Sequence, residues 1–346
     1  MTTFIQPKEN YFKYILLFIL TFITCLVAGA QWGNYNFLEI SNWIYGWQYA
    51  VLILTFLSAH EFGHYFAARY YKINTSLPYY IPFPIPILLN FGTFGAIIRM
   101  REPIQSKKAL FDIGIAGPIA GYLVSLIFLI IGFMNLPTEY DIFKIHPEYL
   151  TEFGGSIPQI GLHFGDTLMF WLFKWIFVPD GGFMPPMNEI YHFPFLNVGW
   201  FGLFVTSMNL LPIGQLDGGH IVYAMFGRKF HYRVARSTMW FLVGIGAIGS
   251  VYEIYLFLQG TFNSQIMQSF QEYLYPKLHW VYQNYPFLSQ FWAGWLLWGL
   301  IGKFFIKLHH PPAIDETPIG KGRMILGWFA IFMLISSFSV NAIWIK

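Results

Sequence analysis

Residues Phe56-Leu57-Ser58-Ala59-His60-Glu61-Phe62-Gly63-His64 lie inside an apolar run at roughly residues 45–68. A bilayer-crossing helix needs roughly 17–25 such residues, so the run reads as a span. Residues four apart share one face of a helix, and His60 and His64 therefore point at one ion. Glu61, next to the first His, lies within reach of the attacking water as a general base. In a soluble protein this spacing also arises by chance. Within a span, two His and a Glu are costly unless they are paired or functional, which leaves a set of merely satisfied core polar groups as the minor reading.

The surrounding sequence agrees with a lipid environment. Hydrophobic residues make up 56% of the chain and charged residues 11%, where a soluble domain carries about 25% charged residues. Mean hydropathy is +0.49. The 13 Trp and 22 Tyr suit interfacial belts. A net charge of +3 is too small to argue for nucleic acid as a partner. The one cysteine, Cys25, excludes an internal disulfide and a Cys-based zinc site, so any metal must be held by His and carboxylate.

Seven spans are expected at roughly 13–30, 45–68, 109–134, 193–213, 237–258, 288–306 and 324–344. The first run is long and lacks a small-residue cleavage site, and so reads as a retained span. The chain divides into 1–44 (first span and outer loop), 45–236 (a metal-centred core) and 237–346 (three C-terminal spans with a cytoplasmic loop at 307–323). No connecting segment is long enough to fold alone. The fold class expected is an all-α polytopic membrane protein with a small membrane-embedded β element at roughly 77–101.

With the N-terminus in the cytoplasm, sixteen Lys and Arg fall on the cytoplasmic side. Only Lys144, Lys174, Lys277 and Lys346 fall on the other, as the positive-inside rule requires. Gly161–Val178 is apolar enough to suggest a further span, but it holds His163, Asp166 and Lys174 and reads as an interfacial or re-entrant outer segment. A span there would put Asp217 on the opposite face from His60.

Asp217 matters because zinc needs a third protein ligand while keeping a position open for water. It stands in Asn209-Leu210-Leu211-Pro212-Ile213-Gly214-Gln215-Leu216-Asp217-Gly218-Gly219, where Pro and Gly break the end of the fourth span. Irregular backbone at membrane depth survives only when buried in protein or lining a watery cavity. By itself the segment reads as a helix end with a solvated Asp; beside the His-Glu motif, the ligand reading is the stronger one.

At these residues the chain resembles the site-2 protease family of intramembrane zinc metalloproteases, in the branch without PDZ or CBS domains and similar to its plant and cyanobacterial-type members. The HExxH at His60–His64 and the NxxPxxxxDG from Asn209 to Gly218 carry the resemblance. Gly92-Thr93-Phe94-Gly95 and Gly114-Ile115-Ala116-Gly117-Pro118 extend it over roughly residues 50–235, and 310–323 resembles that branch's C-terminal loop. The resemblance implies one Zn2+ held by His60, His64 and Asp217, with Glu61 as general base and Asn209 stabilising the tetrahedral intermediate. It also implies single-span membrane protein substrates in a lipid bilayer, and a multi-pass protein of a prokaryotic cytoplasmic membrane.

Between the second and third spans, Leu77-Pro78-Tyr79-Tyr80-Ile81-Pro82-Phe83-Pro84-Ile85-Pro86 is excluded from helix by its closely repeated prolines. Ala96-Ile97-Ile98-Arg99-Met100 has strand composition. In the resembled family this region forms a β element that receives substrate, with Gly95, Ala96, Ile97 and Ile98 as the expected substrate-binding residues. An ordinary surface hairpin is the alternative. Gly117 and Gly121 are spaced for close helix packing. His220 is open between a position behind the metal ligands and a capping or core role. His309-His310 reads as cytoplasmic loop.

Three rival readings fit the sequence less well. A di-iron hydroxylase needs about eight His in repeated clusters, and this chain has 10 His with one such cluster. A prenyl-protein zinc protease needs a downstream Glu ligand, against the Asp217 context. A catalytically inactive membrane-binding or transport protein on a protease scaffold usually lacks the Glu or a ligand, and here all four residues stand.

The charge pattern makes a testable statement about topology. With Cys25 replaced by Ser, Gly227→Cys is expected to stay protected from an impermeant thiol reagent in intact cells, while Thr151→Cys is labelled. Labelling of both would make 161–178 a span.

Overall fold

The computed structural model describes residues 10–83 and 90–345. Pro84, Ile85 and Pro86 of the proline-rich loop lie outside the described residues. The chain divides into two compact units: 1–105, 115–158 and 173–203 form the first, and 106–114, 159–172 and 204–346 the second.

In the first unit, α1 (Tyr11–Trp32) and α2 (Trp47–Tyr70) are joined through a short 3-10 turn, Ile40–Gly46. Their close approach needs two glycines. A Cβ on Gly29 would lie 2.6 Å from the Gly46 carbonyl oxygen, and one on Gly46 would collide with the Leu26 carbonyl. β1 (Tyr79–Pro82) and β2 (Thr93–Ile97) form an antiparallel pair with Tyr79 opposite Ile97 and Tyr80 opposite Ala96, and a register shift before Pro82.

Aromatic and hydroxyl contacts clamp this hairpin to both helices. Tyr14 donates to the Tyr79 hydroxyl at 3.0 Å, and Phe18 meets the Tyr80 ring edge-on. The Tyr80 hydroxyl lies 2.6 Å from Ser58 Oγ on α2. Gly92, at φ +75°, brings the hairpin backbone against Cys25 so closely that an added Cβ would lie 2.5 Å from its Cα. The expected β element therefore exists, but its second strand is Thr93–Ile97 and not Ala96–Met100. Ile98 and Arg99 lie beyond it, and Met100 makes an isolated bridge to Thr75.

Within the first unit, α3 (Lys107–Met134, from residue 115 onward) packs on α2 through Gly63, whose Cβ would lie 2.5 Å from the Ala116 carbonyl oxygen. Two short helices follow, α4 (Glu139–Ile145) and α5 (Glu148–Thr151). Thr138 and Asp141 form a reciprocal capping box at the start of α4, and its hydrogen bonds hold the Asp141 carboxyl down at about 2.

In the second unit, β3 (Leu162–Phe164) pairs antiparallel with the chain's last strand, β4 (Ile343–Ile345). The sequence reading missed both strands, and the expected last span was drawn too long. α6 (Leu168–Phe177) has 10 residues, a length of about 15 Å at 1.5 Å per residue, about half a bilayer core. This agrees with 161–178 not being a span.

α7 (Pro194–Asn209) ends at the irregular segment 210–216, and α8 (Asp217–Phe226) and α9 (Arg228–Phe257) follow. α10 (Gln265–Asn284) was not expected from the sequence; it is largely exposed. α11 (Gly294–Ile301) packs on α9 where Gly246 and Gly249 admit the backbone of Trp292–Leu296. α12 (Lys321–Ser337) is tied to the start of α3 by Arg323, whose Nε and Nη2 each lie 2.7 Å from the Asp112 carboxylate.

Among the described residues, three helices are long and apolar enough to cross a membrane: α1, α3 and α9. α2 has 24 residues, but His60, Glu61, His64 and Arg69 lower its hydropathy. Of the other expected spans, 193–213 contains a 16-residue helix. The last contains a 17-residue helix. The 288–306 stretch is a broken series of 3-10, α and π turns. The protein is thus a mostly helical membrane protein, with two small two-stranded sheets among the described residues.

Candidate metal centre

α2 delivers the first two candidate ligands as the spacing requires. His60 and His64 are 5% and 7% exposed, and their Nε2 atoms stand 3.1 Å apart. Two nitrogens bound to one tetrahedral ion at 2.0–2.1 Å stand about 3.3 Å apart. The pair therefore fits a zinc-type ion, for which neutral imidazole is a preferred donor. Glu61 is buried on the same helix.

What gives the rings their room is the face of α3. The His64 ring occupies the space where a side chain on Gly117 would be, so an added Cβ would collide with its Nε2 and Cδ2 atoms. One turn along, a Cβ on Gly121 would lie 3.2 Å from His60 Nδ1. The four-residue spacing of the two glycines matches that of the two histidines. Reading these glycines as packing residues missed their part in the site; the matched spacings were the available signal.

Asp217 and Asn209 belong to the second unit. Asn209 is the last residue of α7 and Asp217 the first of α8. The loop between them folds tightly beneath α8. Gly214 has φ +53° and leaves no space for a side chain beside the Lys307 carbonyl; side chains on Gly218 and Gly219 would collide with the carbonyls of Leu210 and Gly214. At the first turn of a helix, the macrodipole favours the ionised form of a carboxylate, which is the form that binds a metal.

His220, one turn into α8, has its Nδ1 atom 2.7 Å from His310 Nε2. His310 is 3% exposed and stacks on Tyr223 at 4.2 Å. It is therefore no plain loop residue, and burial lowers its pKa from the ordinary imidazole range. His220 is thus an internally bonded residue three positions after Asp217 on the same helix.

The expected substrate residues separate by orientation. Ala96 is buried in β2, Ile97 is 55% exposed, and Gly95 has φ +102° with open space at its Cα. Arg99 turns its carbonyl to the Ser76 amide and its amide to Ser76 Oγ. Ile98 lies just past β2, which among the described residues pairs with β1 alone.

Filling the glycine cradle is a direct test. Gly117→Ala is expected to displace His64 and lower metal affinity by about 10-fold or more, a value typical of disturbing the groups behind a ligand. Gly322→Ala, where nothing stands within 4 Å, is expected to leave it unchanged. Metal titration of both purified variants checks this.

A sequence profile described as peptidase family M50 matches residues 48–249. A probable zinc metalloprotease EGY1, chloroplastic, of Oryza sativa subsp. japonica is 33% identical over 195 residues, covering 55% of this chain and 30% of the relative. The probable zinc metalloprotease EGY2, chloroplastic, of Oryza sativa subsp. indica is 28% identical over 214 residues, covering 60% and 34%. The Arabidopsis thaliana protein named probable zinc metalloprotease EGY1, chloroplastic, is 29% identical over 198 residues, covering 57% and 32%.

This chain thus spans about a third of the length of the curated relatives it matches. The chloroplastic names lend no support to the expected prokaryotic cytoplasmic membrane. No solved structure matches the chain. With the profile covering more than half of its residues, and the paired histidines of the HExxH helix seated in a glycine cradle, the chain belongs to peptidase family M50, the site-2 proteases.

Proposed function

We propose that this protein is an intramembrane zinc endopeptidase that cuts single-span membrane proteins, built on seven spans with its N-terminus in the cytoplasm. The observation that carries the reading is the His60–His64 pair, two buried imidazoles whose Nε2 atoms face each other at 3.1 Å on the helix that also bears Glu61. The names of the plant relatives point the same way.

His60, His64 and Asp217 would hold the ion. When bound, zinc supplies a Lewis acid that polarises the scissile carbonyl and makes water acidic enough to ionise near neutral pH. Glu61 takes the proton of the attacking water and passes it to the leaving amide nitrogen, a contribution typically worth about 10²–10⁴-fold. Asn209 donates a hydrogen bond to the developing oxyanion. Water reaches the site from the cytoplasmic side. α2 ends at Tyr70, six residues past His64, which is about 9 Å at 1.5 Å per residue.

A spanning substrate hides its peptide bonds in helix and must be held extended before it is cut. The free edge of β2 offers backbone groups for β-augmentation. An apolar groove of about 590 Å³ between α1 and α2, lined by Phe18, Phe22, Leu54, Ser58, Ala59 and Phe62, lies beside the HExxH helix and accommodates the substrate helix before it unwinds.

Metal and catalysis are expected to separate. Glu61→Gln should keep about one zinc in the site while cleavage falls by about 10²-fold or more, whereas Asp217→Ala should lose the zinc of this site. Full zinc in Asp217→Ala, measured by metal analysis, would remove Asp217 from the ligand set. Proline removes an amide donor, so Ile98→Pro should block cleavage of a spanning substrate with zinc retained, and Ile98→Val should cleave normally. Normal cleavage by Ile98→Pro would remove the backbone just past β2 from the substrate-holding edge.

A further inference from the structure

A second group of metal-ligand atoms lies in the first unit, apart from the HExxH helix. His146, at the C-terminal end of α4, and Glu189 and His192, around a short 3-10 turn before α7, bring one ligand atom each within 4.8 Å of one another. Glu189 is 1% exposed and His192 8%. A carboxylate buried to that degree is costly unless a cation offsets it.

The hydrogen bonds around the cluster determine what faces its centre. His192 Nδ1 lies 2.6 Å from the Trp32 carbonyl oxygen at the end of α1. A carbonyl only accepts, so Nδ1 carries the proton and donates. His146 Nδ1 lies 2.8 Å from the Glu148 carboxylate, which also only accepts in its ionised form. With both outer nitrogens protonated, a neutral imidazole presents a lone pair at Nε2. The two Nε2 atoms then face each other at 3.0 Å.

Glu189 completes the arrangement. Tyr149 and Asn188 donate to its Oε1 at 3.1 and 3.0 Å. Among the described residues, Oε2 is buried with no hydrogen-bond partner. It stands 3.4 Å from His192 Nε2 and 3.7 Å from His146 Nε2. Three electron-pair donors thus converge at separations of 3.0, 3.4 and 3.7 Å, against the edge of about 3.3 Å for a tetrahedron of zinc ligands.

We propose that His146, Glu189 and His192 form a second metal site, taking a zinc-class divalent transition ion and separate from the catalytic one. Two imidazoles and one carboxylate suit zinc and its neighbours and disfavour calcium and magnesium, which prefer all-oxygen shells. The Trp32 carbonyl and the Glu148 carboxylate hold the two rings by their outer nitrogens, as partners of metal-bound His do. The ion fastens α4, the segment before α7 and the end of α1 together. The inference does not depend on the proteolytic reading, since none of its residues belongs to that site.

The test uses full-length protein stripped of metal and titrated with Co2+ alone, whose visible bands report a tetrahedral N/O site. Wild type is expected to take up about two equivalents, and Glu189→Gln about one, with the HExxH site still filled. His60→Ala/His64→Ala should retain about one equivalent, and adding Glu189→Gln or His146→Ala should abolish it. Glu189→Gln preserves size and the acceptor for Tyr149, so it keeps the test valid if the histidine variants fail to fold. Saturation of folded wild type at about one equivalent, with uptake unchanged by Glu189→Gln, overturns the site. Binding lost only on His60→Ala/His64→Ala does the same, while failure of cleavage alone bears only on the catalytic reading.

Discussion

The close approach of α2 and α3 is the constraint on which the first unit turns. Two imidazoles and a carboxylate on an apolar helix need both space and a compensating cation, because isolated polar groups at membrane depth are costly. Gly117 and Gly121 supply the space, and Gly63 lets the two backbones meet at Ala116. α3 carries Pro118 inside this same stretch, so the helix gives up propensity and a hydrogen bond where it makes room for the rings. Local stability is traded for a cavity shaped to two side chains.

The hairpin β1–β2 follows from the same economy of backbone. A two-stranded hairpin is marginal by itself in water. Here Tyr79 and Tyr80 dock on α1 and α2 through hydroxyl and ring contacts, and Gly92 lets its base sit directly on Cys25. Side chains hold the hairpin to the helices, and among the described residues β2 pairs with β1 alone. The hairpin thus stands directly against α1 and against α2, the helix that bears His60 and Glu61.

Facing imidazoles occur twice, and the two pairs are assembled differently. His60 and His64 meet because an α-helix repeats every 3.6 residues. His146 and His192 meet because a 46-residue excursion of chain returns to one place. The first pair is local, set by the spacing of two residues on one helix. The second depends on α1, through the Trp32 carbonyl, and on the capped helix α4. That difference in contact order is why one pair is a readable motif and the other is not.

The sequence by itself determined the lipid environment, the HExxH helix, the break after Asn209 and a β element near residues 77–101. Each rests on local periodicity, composition or backbone chemistry. It also determined the family, since two short motifs with demanding spacings survive together. Only the tertiary structure decided that β2 ends at Ile97, that Gly117 and Gly121 cradle the histidines, that His310 is buried against His220 and Tyr223, and that 343–345 pairs with 162–164 as a strand. Those features arise from contacts between residues far apart in the chain. Apart from the matched spacing of the two glycines and the two histidines, their local sequence carries no period that encodes the partner, because side-chain volume and backbone approach are satisfied only once both segments are in place.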